Sequence, residues 1–230
     1  MAMKNHPEHQ KNLFEYLSRF ITENKRSRFI EVIENRTRHL SVVLEDIYQP
    51  HNASAVLRTC DCLGIQDIHI IENRNTYTLN KSVSLGSSKW VTMKRYNERE
   101  NNTSECLASL KSKGYKIAVT SPHKNDVSIE DLAVDQKLAV VFGTELEGIS
   151  DMAMGLADTY VRIPMYGFTE SYNISVSAAI TLYHLIRKIR QSGVSWKLSE
   201  EEQSELLLEW ARKVVKRPEL HEKNFLKKFS

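Results

Sequence analysis

The sequence predicts an α/β domain built on a parallel sheet, with helical extensions before and after it. Short apolar runs at residues 40–44 and 138–142 are typical of strands buried on both faces of a sheet. Stretches with helical periodicity lie between such runs. Strands that alternate with helices at these spacings favour parallel pairing. A chain of 230 residues is long enough to bury one such core and to carry additional helices.

Composition excludes several classes of protein. Hydrophobic residues make up 41% and charged residues 27% of the chain, as in ordinary globular domains. No apolar stretch approaches membrane-spanning length and the N-terminus lacks a signal-like apolar region, so we expect a cytoplasmic protein with no membrane partner. Cys60, Cys62 and Cys106 are too few for a disulfide framework and lack zinc or redox spacing, so we expect no metal. A net charge of +3 and a pI near 8.6 permit nucleic-acid binding without requiring it.

Residues 1–38 are expected to form the N-terminal helical extension. Apolar residues recur at three- and four-residue steps between about residues 8 and 36, which predicts one broken or two short amphipathic helices. Their polar faces carry Arg28 and Arg36 among other cations. Such a face is either solvated or a phosphate-binding surface, and interleaved acids such as Glu31 weaken the second interpretation.

Residues 39–193 are expected to form the central domain, and residues 194–230 the C-terminal extension. Strands are predicted at residues 40–44, 66–71, 91–96, 116–120, 138–142 and 161–163. Helices are predicted at residues 52–62, with Asn52 as the cap, and at 103–113, 151–156, 172–191 and 198–215. The polar stretch 72–85 is long enough to be a functional loop. The basic tail to Ser230 is predicted to be mobile.

Loops of small and polar residues follow two of these strands. Gly143 and Gly148 bracket the loop after residues 138–142, where the backbone can approach a ligand closely. The next strand ends in a similar loop, after which Ser171 and Asn173 open a helix. Each piece alone is compatible with an ordinary strand, loop and helix. Their succession in this order favours a ligand site.

Three ordered motifs resemble those of the SPOUT superfamily of RNA 2′-O-ribose methyltransferases. Asn52-Ala-Ser-Ala-Val-Leu-Arg58 resembles the first motif, and Phe142-Gly-Thr-Glu-Leu-Glu-Gly-Ile-Ser150 the second. Ile163-Pro-Met165, followed by Ser171-Tyr-Asn-Ile-Ser-Val-Ser-Ala-Ala179, resembles the third. The resemblance extends from about Ser41 to Gly193. Within the superfamily the chain most resembles the TrmH branch, the tRNA guanosine-18 2′-O-methyltransferases, which also carry helical extensions at both ends.

The resemblance implies a SPOUT fold in which residues of about 138–193 form a C-terminal trefoil knot. Pattern reasoning alone would not propose a knot, because true knots are essentially absent from proteins. It also implies that the knot holds S-adenosylmethionine in a bent pose, mainly through loop backbone, and releases S-adenosylhomocysteine. The implied lining positions are Thr120, Ser121, Gly143, Ile163, Met165, Ser171, Asn173 and Val176. Neither a Rossmann glycine pattern nor a P-loop is present in the sequence.

The implied reaction is methyl transfer to a ribose 2′-hydroxyl. The implied catalytic positions are Arg58, Asn52, Glu145, Ser171 and Asn173. Asn52 is expected to hold Arg58, and Arg58 to meet the hydroxyl or its neighbouring phosphate. In the superfamily this arginine is proposed as general base, but a guanidinium with a pKa above about 12 is not normally deprotonated in proteins. We therefore favour Arg58 as stabiliser of the forming alkoxide. Glu145 is expected to orient the site or the second subunit.

The implied partners are tRNA, most simply through a guanosine of its D-loop, and a second copy of the chain. A homodimer packed through the knot helices would use the close approach that small side chains permit at Ser175, Ser177, Ala178 and Ala179. Arg28, Arg36 and Arg187 are the expected RNA contacts. A second usual basic position falls on Ile189, with Arg190 one residue later, so the role of Arg190 is open.

Three other functions are compatible with parts of the sequence. The same chemistry could act on ribosomal RNA, because substrate choice depends on terminal helices and loops that carry no readable base code. A non-catalytic RNA-binding relative would need a broken site, whereas Asn52, Arg58 and Ser171 are intact. A hydrolase or amidase built on Glu145 and Glu147 would lack a serine elbow or a metal-ligand cluster.

Overall fold

The computed structural model of the chain describes residues 7–121, 126–144 and 147–229. The chain divides into two compact units, one formed by Thr37–Trp196 and the other by the helices before and after it. Within the described ranges, no helix is long and apolar enough to cross a membrane.

Most of the α-helices agree closely with the predicted ones, but the helices at Lys81–Ser84, within the predicted loop, and at Pro218–Phe229 were not predicted. In chain order, those in the described ranges are α1 (Pro7–Ser18), α2 (Glu23–Ile33), α3 (Pro50–Leu63), α4 (Lys81–Ser84), α5 (Asn102–Ser112), α6 (Asp151–Leu156), α7 (Ile174–Gln191), α8 (Glu200–Val214) and α9 (Pro218–Phe229). A short 3-10 helix spans Ser87–Lys89. The prediction of helical periodicity before residue 36 is confirmed as two short helices, since α1 and α2 are separate.

The strands of the central unit form one parallel sheet. They are β1 (Leu40–Glu45), β2 (Asp67–Ile71), β3 (Thr92–Tyr96), β4 (Lys116–Thr120), β5 (Val127–Ser128), β6 (Leu138–Phe142) and β7 (Thr159–Arg162). In the part of the chain that is described, the order across the sheet is β3-β2-β1-β6-β4-β7-β5, and every pairing is parallel. The predicted α/β fold is therefore confirmed. Strand β5 was not predicted, because two residues show no periodicity.

Apolar side chains cover both faces of the sheet. On one face, alternate residues of β1 such as Val42 pack with Leu57 of α3 and Leu182 of α7. On the other face, Val43 packs with Leu107 of α5. Each of these five residues is 0% exposed. Burial on both faces explains why β6 is a continuous apolar run and why β1 is apolar apart from Ser41 and its last residue, Glu45.

The start of α3 differs from the prediction. Asn52 does not cap the helix, because α3 begins at Pro50 and its N-cap is Gln49. Proline fits the first helical position, where its fixed φ is already helical and its missing N–H has no partner to lose. Asn52 therefore lies inside the first turn, where it is only 4% exposed.

The terminal unit contains a helix where a mobile tail was predicted. That prediction was wrong, because α9 spans Pro218–Phe229. Phe225 is 3% exposed, with its ring 5.6 Å from that of His9 and 5.4 Å from that of Tyr16. Helix α8 has the expected acidic start and basic end, and a capping box between Ser199 and Glu202 fixes its first turn.

Candidate active site

The strand order reverses between β1 and β6. From β1 the sheet continues through β2 and β3 in one direction, and from β6 through β4, β7 and β5 in the other. In open α/β sheets, ligands bind outside the carboxyl ends of the strands at such a reversal. The loops after β1, β4, β6 and β7 leave this edge side by side, and they carry most of the predicted catalytic and cofactor positions.

The loop after β6, residues 143–150, is here called the glycine loop; its residues Glu145 and Leu146 lie outside the described ranges. Thr144 and Gly148 exchange two backbone hydrogen bonds, of 2.9 and 3.0 Å. A Cβ atom at position 143 would lie 2.1 Å from the carbonyl oxygen of Gly148, and Gly148 has a φ of +72°. Both glycines are thus required by the closed shape of the loop. The predicted role of Glu145 stays a prediction.

A buried carboxylate that sequence reasoning missed anchors the far end of the glycine loop. Glu45, at the end of β1, is 2% exposed. It accepts hydrogen bonds from the Ser150 N–H at 3.0 Å, the Ser150 hydroxyl at 2.7 Å and the Thr103 hydroxyl at 2.6 Å. Ser150 also caps α6 by accepting from the Ala153 N–H at 3.1 Å. The available signal was an acidic residue ending an apolar strand at the carboxyl edge.

Asp46 fixes the loop that follows β2. Its Oδ1 accepts from the backbone N–H groups of Asn73 at 2.7 Å, Arg74 at 2.9 Å and Asn75 at 3.3 Å. Asp46 itself has a φ of 53°, a left-handed conformation that few non-glycine residues adopt. The stretch after Ile71, predicted as a loop without regular structure, is therefore tied to the end of β1.

Glu72 organises the rest of that stretch. Its carboxylate accepts from the guanidinium of Arg95, at 2.8 Å from Nε and 2.5 Å from Nη2, and from the Tyr77 N–H at 2.6 Å. The hydrogen bond from Arg95 is the main cause of a lowered pKa at Glu72. The loop thus has an ion pair at its base and is not a free polar segment.

The first and third motifs meet through two asparagines. The side-chain N–H of Asn173 donates to the Oδ1 of Asn52 at 3.3 Å, and Asn52 donates to the Oε1 of Gln49 at 3.0 Å. Asn173 is also the N-cap of α7, accepting from the N–H of Ser175 at 2.9 Å and from its hydroxyl at 2.6 Å. Two predicted catalytic residues, 121 positions apart in sequence, are therefore in contact.

Arg58 lies elsewhere on α3. It lies six positions after Asn52, which corresponds to roughly 9 Å along the helix axis. Its exposed side chain lines an open depression of about 600 Å³, together with Ala179, Ile180 and Tyr183 of α7. No residue in the described ranges pairs with its guanidinium, so the expected contact with Asn52 is absent from the single chain.

The predicted cofactor positions lie at neighbouring strand ends. The Thr120 hydroxyl donates to the Val141 carbonyl at 2.9 Å, and the Ser121 N–H donates to the Val161 carbonyl at 2.9 Å. The other predicted cofactor positions are the half-buried Ile163 and Met165, the exposed Ser171 and Val176, and Gly143 and Asn173, which are described above. The loop 163–173 also presents two almost fully exposed aromatic rings, Tyr166 and Phe168.

The predicted RNA contacts have different environments. Arg28 is 65% exposed and pairs with Glu31 at 2.8 Å, and Arg187 is also exposed. Arg36, in contrast, is 2% exposed, and its guanidinium lies 5.5 Å from the ring centroid of Trp210. This placement corrects the expectation for Arg36, because a side chain buried against an aromatic ring presents no charge to RNA. In the described part of the chain, no cluster of His, Cys, Asp and Glu could hold a metal ion.

The fold and the site define the class: an α/β protein whose ligand loops leave the carboxyl edge of a parallel sheet at a topological reversal. The profile of the SpoU rRNA Methylase family matches residues 39–183. The chain belongs to this family, which confirms the resemblance found in the three motifs.

Relatives with assigned names match most of the chain. A protein of Borreliella burgdorferi named tRNA (guanosine(18)-2′-O)-methyltransferase is 47% identical over 200 residues, covering 87% of this chain and 90% of that protein. A protein of the same name from Thermus thermophilus is 33% identical over 194 residues, covering 84% and 98%. The crystal structure of the TrmH/SpoU tRNA modifying enzyme of A. aeolicus superposes with a TM-score of 0.75 at 32% identity, covering 84% of this chain and 98% of that one.

Proposed function

We propose that this protein transfers a methyl group from S-adenosylmethionine to the ribose 2′-oxygen of a D-loop guanosine, guanosine 18, in tRNA. The observation that carries the proposal is the contact between Asn52 and Asn173, which joins the first and third motifs at the carboxyl edge. The named relatives support the substrate, because the similarity covers 87% and 84% of the chain and so extends beyond residues 39–183 of the family match. The cytoplasm, where tRNA is found, is the expected place of action.

The proposed cofactor site fits the strand ends. Backbone groups after β4, β6 and β7 lie side by side, and the missing side chain at Gly143 keeps the glycine loop closed upon itself. We infer that backbone near Thr120, Gly143 and Ile163 holds the cofactor. When bound, S-adenosylmethionine supplies a methyl group attached to a sulfonium. The leaving group is then a neutral thioether, which needs no acid to depart. We also infer that residues 138–193 form a trefoil knot, in line with the placement of β6 between β1 and β4.

The 2′-oxygen forms a bond to the methyl carbon as the carbon–sulfur bond breaks, and the hydroxyl proton passes to solvent water. The residues of the chain have two tasks in this reaction, to align the ribose and to stabilise the negative charge that develops on its oxygen. Asn173 is fixed by its bonds to Ser175 and Asn52, so the third motif contains a preorganised amide. Ser171 lies two residues before it and is exposed. Arg58 stays cationic, and its proposed task is to stabilise the alkoxide or grip the adjacent phosphate.

We infer that the active form is a homodimer packed through α3 and α7. The depression beside Arg58 is lined mostly by apolar and small side chains, among them Ala55 and Ala179. On α7, Tyr183 is 56% exposed and Ile180 is 37% exposed, which is typical of a helix face that meets another protein. A second copy seated there would bring Arg58 to the asparagine pair of its partner. Isolated monomers should be nearly inactive.

Methylation of ribosomal RNA is the second candidate, and the description of the matched family favours it. Transfer of labelled methyl to total tRNA and, separately, to ribosomal RNA distinguishes the two, followed by mapping of the modified nucleotide. Label in a D-loop guanosine, lost when that guanosine is replaced by adenosine, supports the proposal. Label only in ribosomal RNA would overturn the substrate. Cofactor binding without label in either RNA would identify a non-catalytic RNA-binding protein.

A further inference from the structure

An exposed ion pair joins two loops of the carboxyl edge. Arg74, in the loop after β2, donates from Nη1 to the Oε2 of Glu147 in the glycine loop. Both side chains are 67% exposed, although the two residues are 73 positions apart in sequence. The mechanism proposed above assigns neither of them a task.

The backbone on both sides of this pair is fixed. Asp46 holds the Arg74 N–H at 2.9 Å, and the neighbouring Asn73 is bonded to the Thr103 hydroxyl at 2.9 Å. The Glu147 N–H donates to the Thr144 hydroxyl at 3.0 Å. A guanidinium is therefore presented to solvent from a rigid base, at the edge where the target nucleotide must enter.

A carboxylate is a weak partner for Arg74 in this setting. Exposed ion pairs contribute little to stability, because water screens both charges and the side chains lose freedom. A phosphate offers the same guanidinium two parallel hydrogen bonds and more negative charge. An incoming phosphate would therefore displace Glu147 at small cost.

We infer that Arg74 binds a backbone phosphate of the RNA substrate, and that Glu147 occupies its guanidinium until RNA arrives. The inference rests on the proposed function, because it requires an RNA substrate. RNA binding would break the Arg74–Glu147 ion pair. The glycine loop, which lies near the proposed cofactor site, would then lose its contact with the loop after β2 when the substrate binds. The two partners of the ion pair then have opposite effects on RNA affinity.

The first test is Arg74→Ala, with tRNA affinity measured by filter binding at several salt concentrations. We expect affinity to fall about three- to tenfold, and the slope of log affinity against log salt to shrink by about one phosphate contact. The control is Lys111→Ala, which removes an ion-paired cation bound to Asp158 at 2.8 Å. Asp158 also accepts from the N–H of Ile117 near the start of β4, so this pair lies at the opposite edge of the sheet. The control should keep the wild-type affinity and slope.

The second test is Glu147→Gln, which leaves Arg74 without its carboxylate. We expect tRNA to bind about two- to threefold more tightly, because the phosphate no longer has to displace the Glu147 carboxylate from the guanidinium. The control is Glu130→Gln, an exposed carboxylate of the same unit, which makes the same change in net charge. A gain in Glu147→Gln beyond that of the control isolates the release of Arg74.

Two results would overturn the inference. Arg74→Ala with unchanged affinity and salt slope would show that no phosphate is bound there. Glu147→Gln that weakens tRNA binding as much as Arg74→Ala would show a purely structural pair, and both variants would then share a lowered melting temperature. Failure of the proposed function is distinguishable, because the wild-type protein would then transfer no labelled methyl group to tRNA, whatever its affinity in the filter-binding assay.

Discussion

Replacing Gly143 by alanine should weaken cofactor binding while leaving the rest of the sheet intact. The added Cβ would lie 2.1 Å from the Gly148 oxygen, 2.5 Å from its carbonyl carbon and 2.8 Å from the Ile149 nitrogen. All three atoms are backbone, so no side-chain rotation can relieve the clash. The glycine loop must open instead.

The size of the effect follows from the bonds that opening would break. Thr144 and Gly148 share two backbone hydrogen bonds, each of which contributes about 0.5–1.5 kcal/mol. Loss of both costs about 1–3 kcal/mol, so the ratio of closed to open loop falls roughly 5- to 150-fold. If the cofactor needs the closed loop, its dissociation constant rises by up to the same factor.

The assay is isothermal titration with S-adenosylhomocysteine, accompanied by thermal unfolding. Gly155→Ala is a matched control, because an added Cβ in α6 would meet nothing within 4 Å. Alanine favours the helical conformation over glycine by roughly 0.5–1 kcal/mol, so this control should be as stable as the wild type or more so. Wild-type affinity in Gly143→Ala would refute the reasoning, since it would show that the loop opens at no cost to the cofactor.

Three further predictions concern catalysis and stability. Arg58→Ala should lower kcat by about 100-fold or more, as loss of a charge stabiliser does, while cofactor binding survives; unchanged methyl transfer would remove Arg58 from the mechanism. Arg58→Ala and Asn173→Ala, each inactive alone, should regain about a quarter of wild-type activity when they are mixed. Half of the dimers then contain one subunit of each variant, and one of the two sites in such a dimer has both Arg58 and Asn173, contributed by different subunits. No recovery would place both residues in one subunit. His69 is 5% exposed, and burial followed by the charges of Lys113 and Lys94 lowers its pKa to about 4. Because the unfolded chain binds that proton near pH 6.5, the fold should lose about 2 kcal/mol between pH 7.5 and 5 from this group alone. Urea unfolding of His69→Phe, which cannot take up the proton, should show a smaller loss; an equal loss would contradict the assignment to His69.

Sequence patterns predicted those strands, loops and helices whose formation depends on neighbouring residues in the chain. The apolar run at β6 and the glycine after it determine both a buried strand and the loop behind it. The preference of Asn52 for capping predicts a later start of α3 than the observed one, because the fit of Pro50 to the first helical position places the cap at Gln49. Both features are visible in the sequence, and the structure shows which one prevails.

Other parts of the site depend on contacts that no local pattern contains. The burial of Arg36 requires Trp210, which lies more than 170 positions later. The anchoring of the glycine loop requires a carboxylate on β1 and hydroxyls on two other segments, at Thr103 and Ser150. A single sequence shows a charged residue at the end of a strand but not the groups that will surround it.

The geometry of α3 explains why a single chain does not assemble the whole predicted site. Residues six apart on an α-helix point about 120° away from each other, since each residue turns the helix by about 100°. On one side of α3, Asn52 is hydrogen-bonded to Asn173, and on another side Arg58 lines the depression beside Tyr183. One surface of α3 thus meets Asn173 through Asn52, and the other presents Arg58. A second copy seated on α7 would bring the two surfaces together, and this is why the mixing experiment tests the dimer and the chemistry at once.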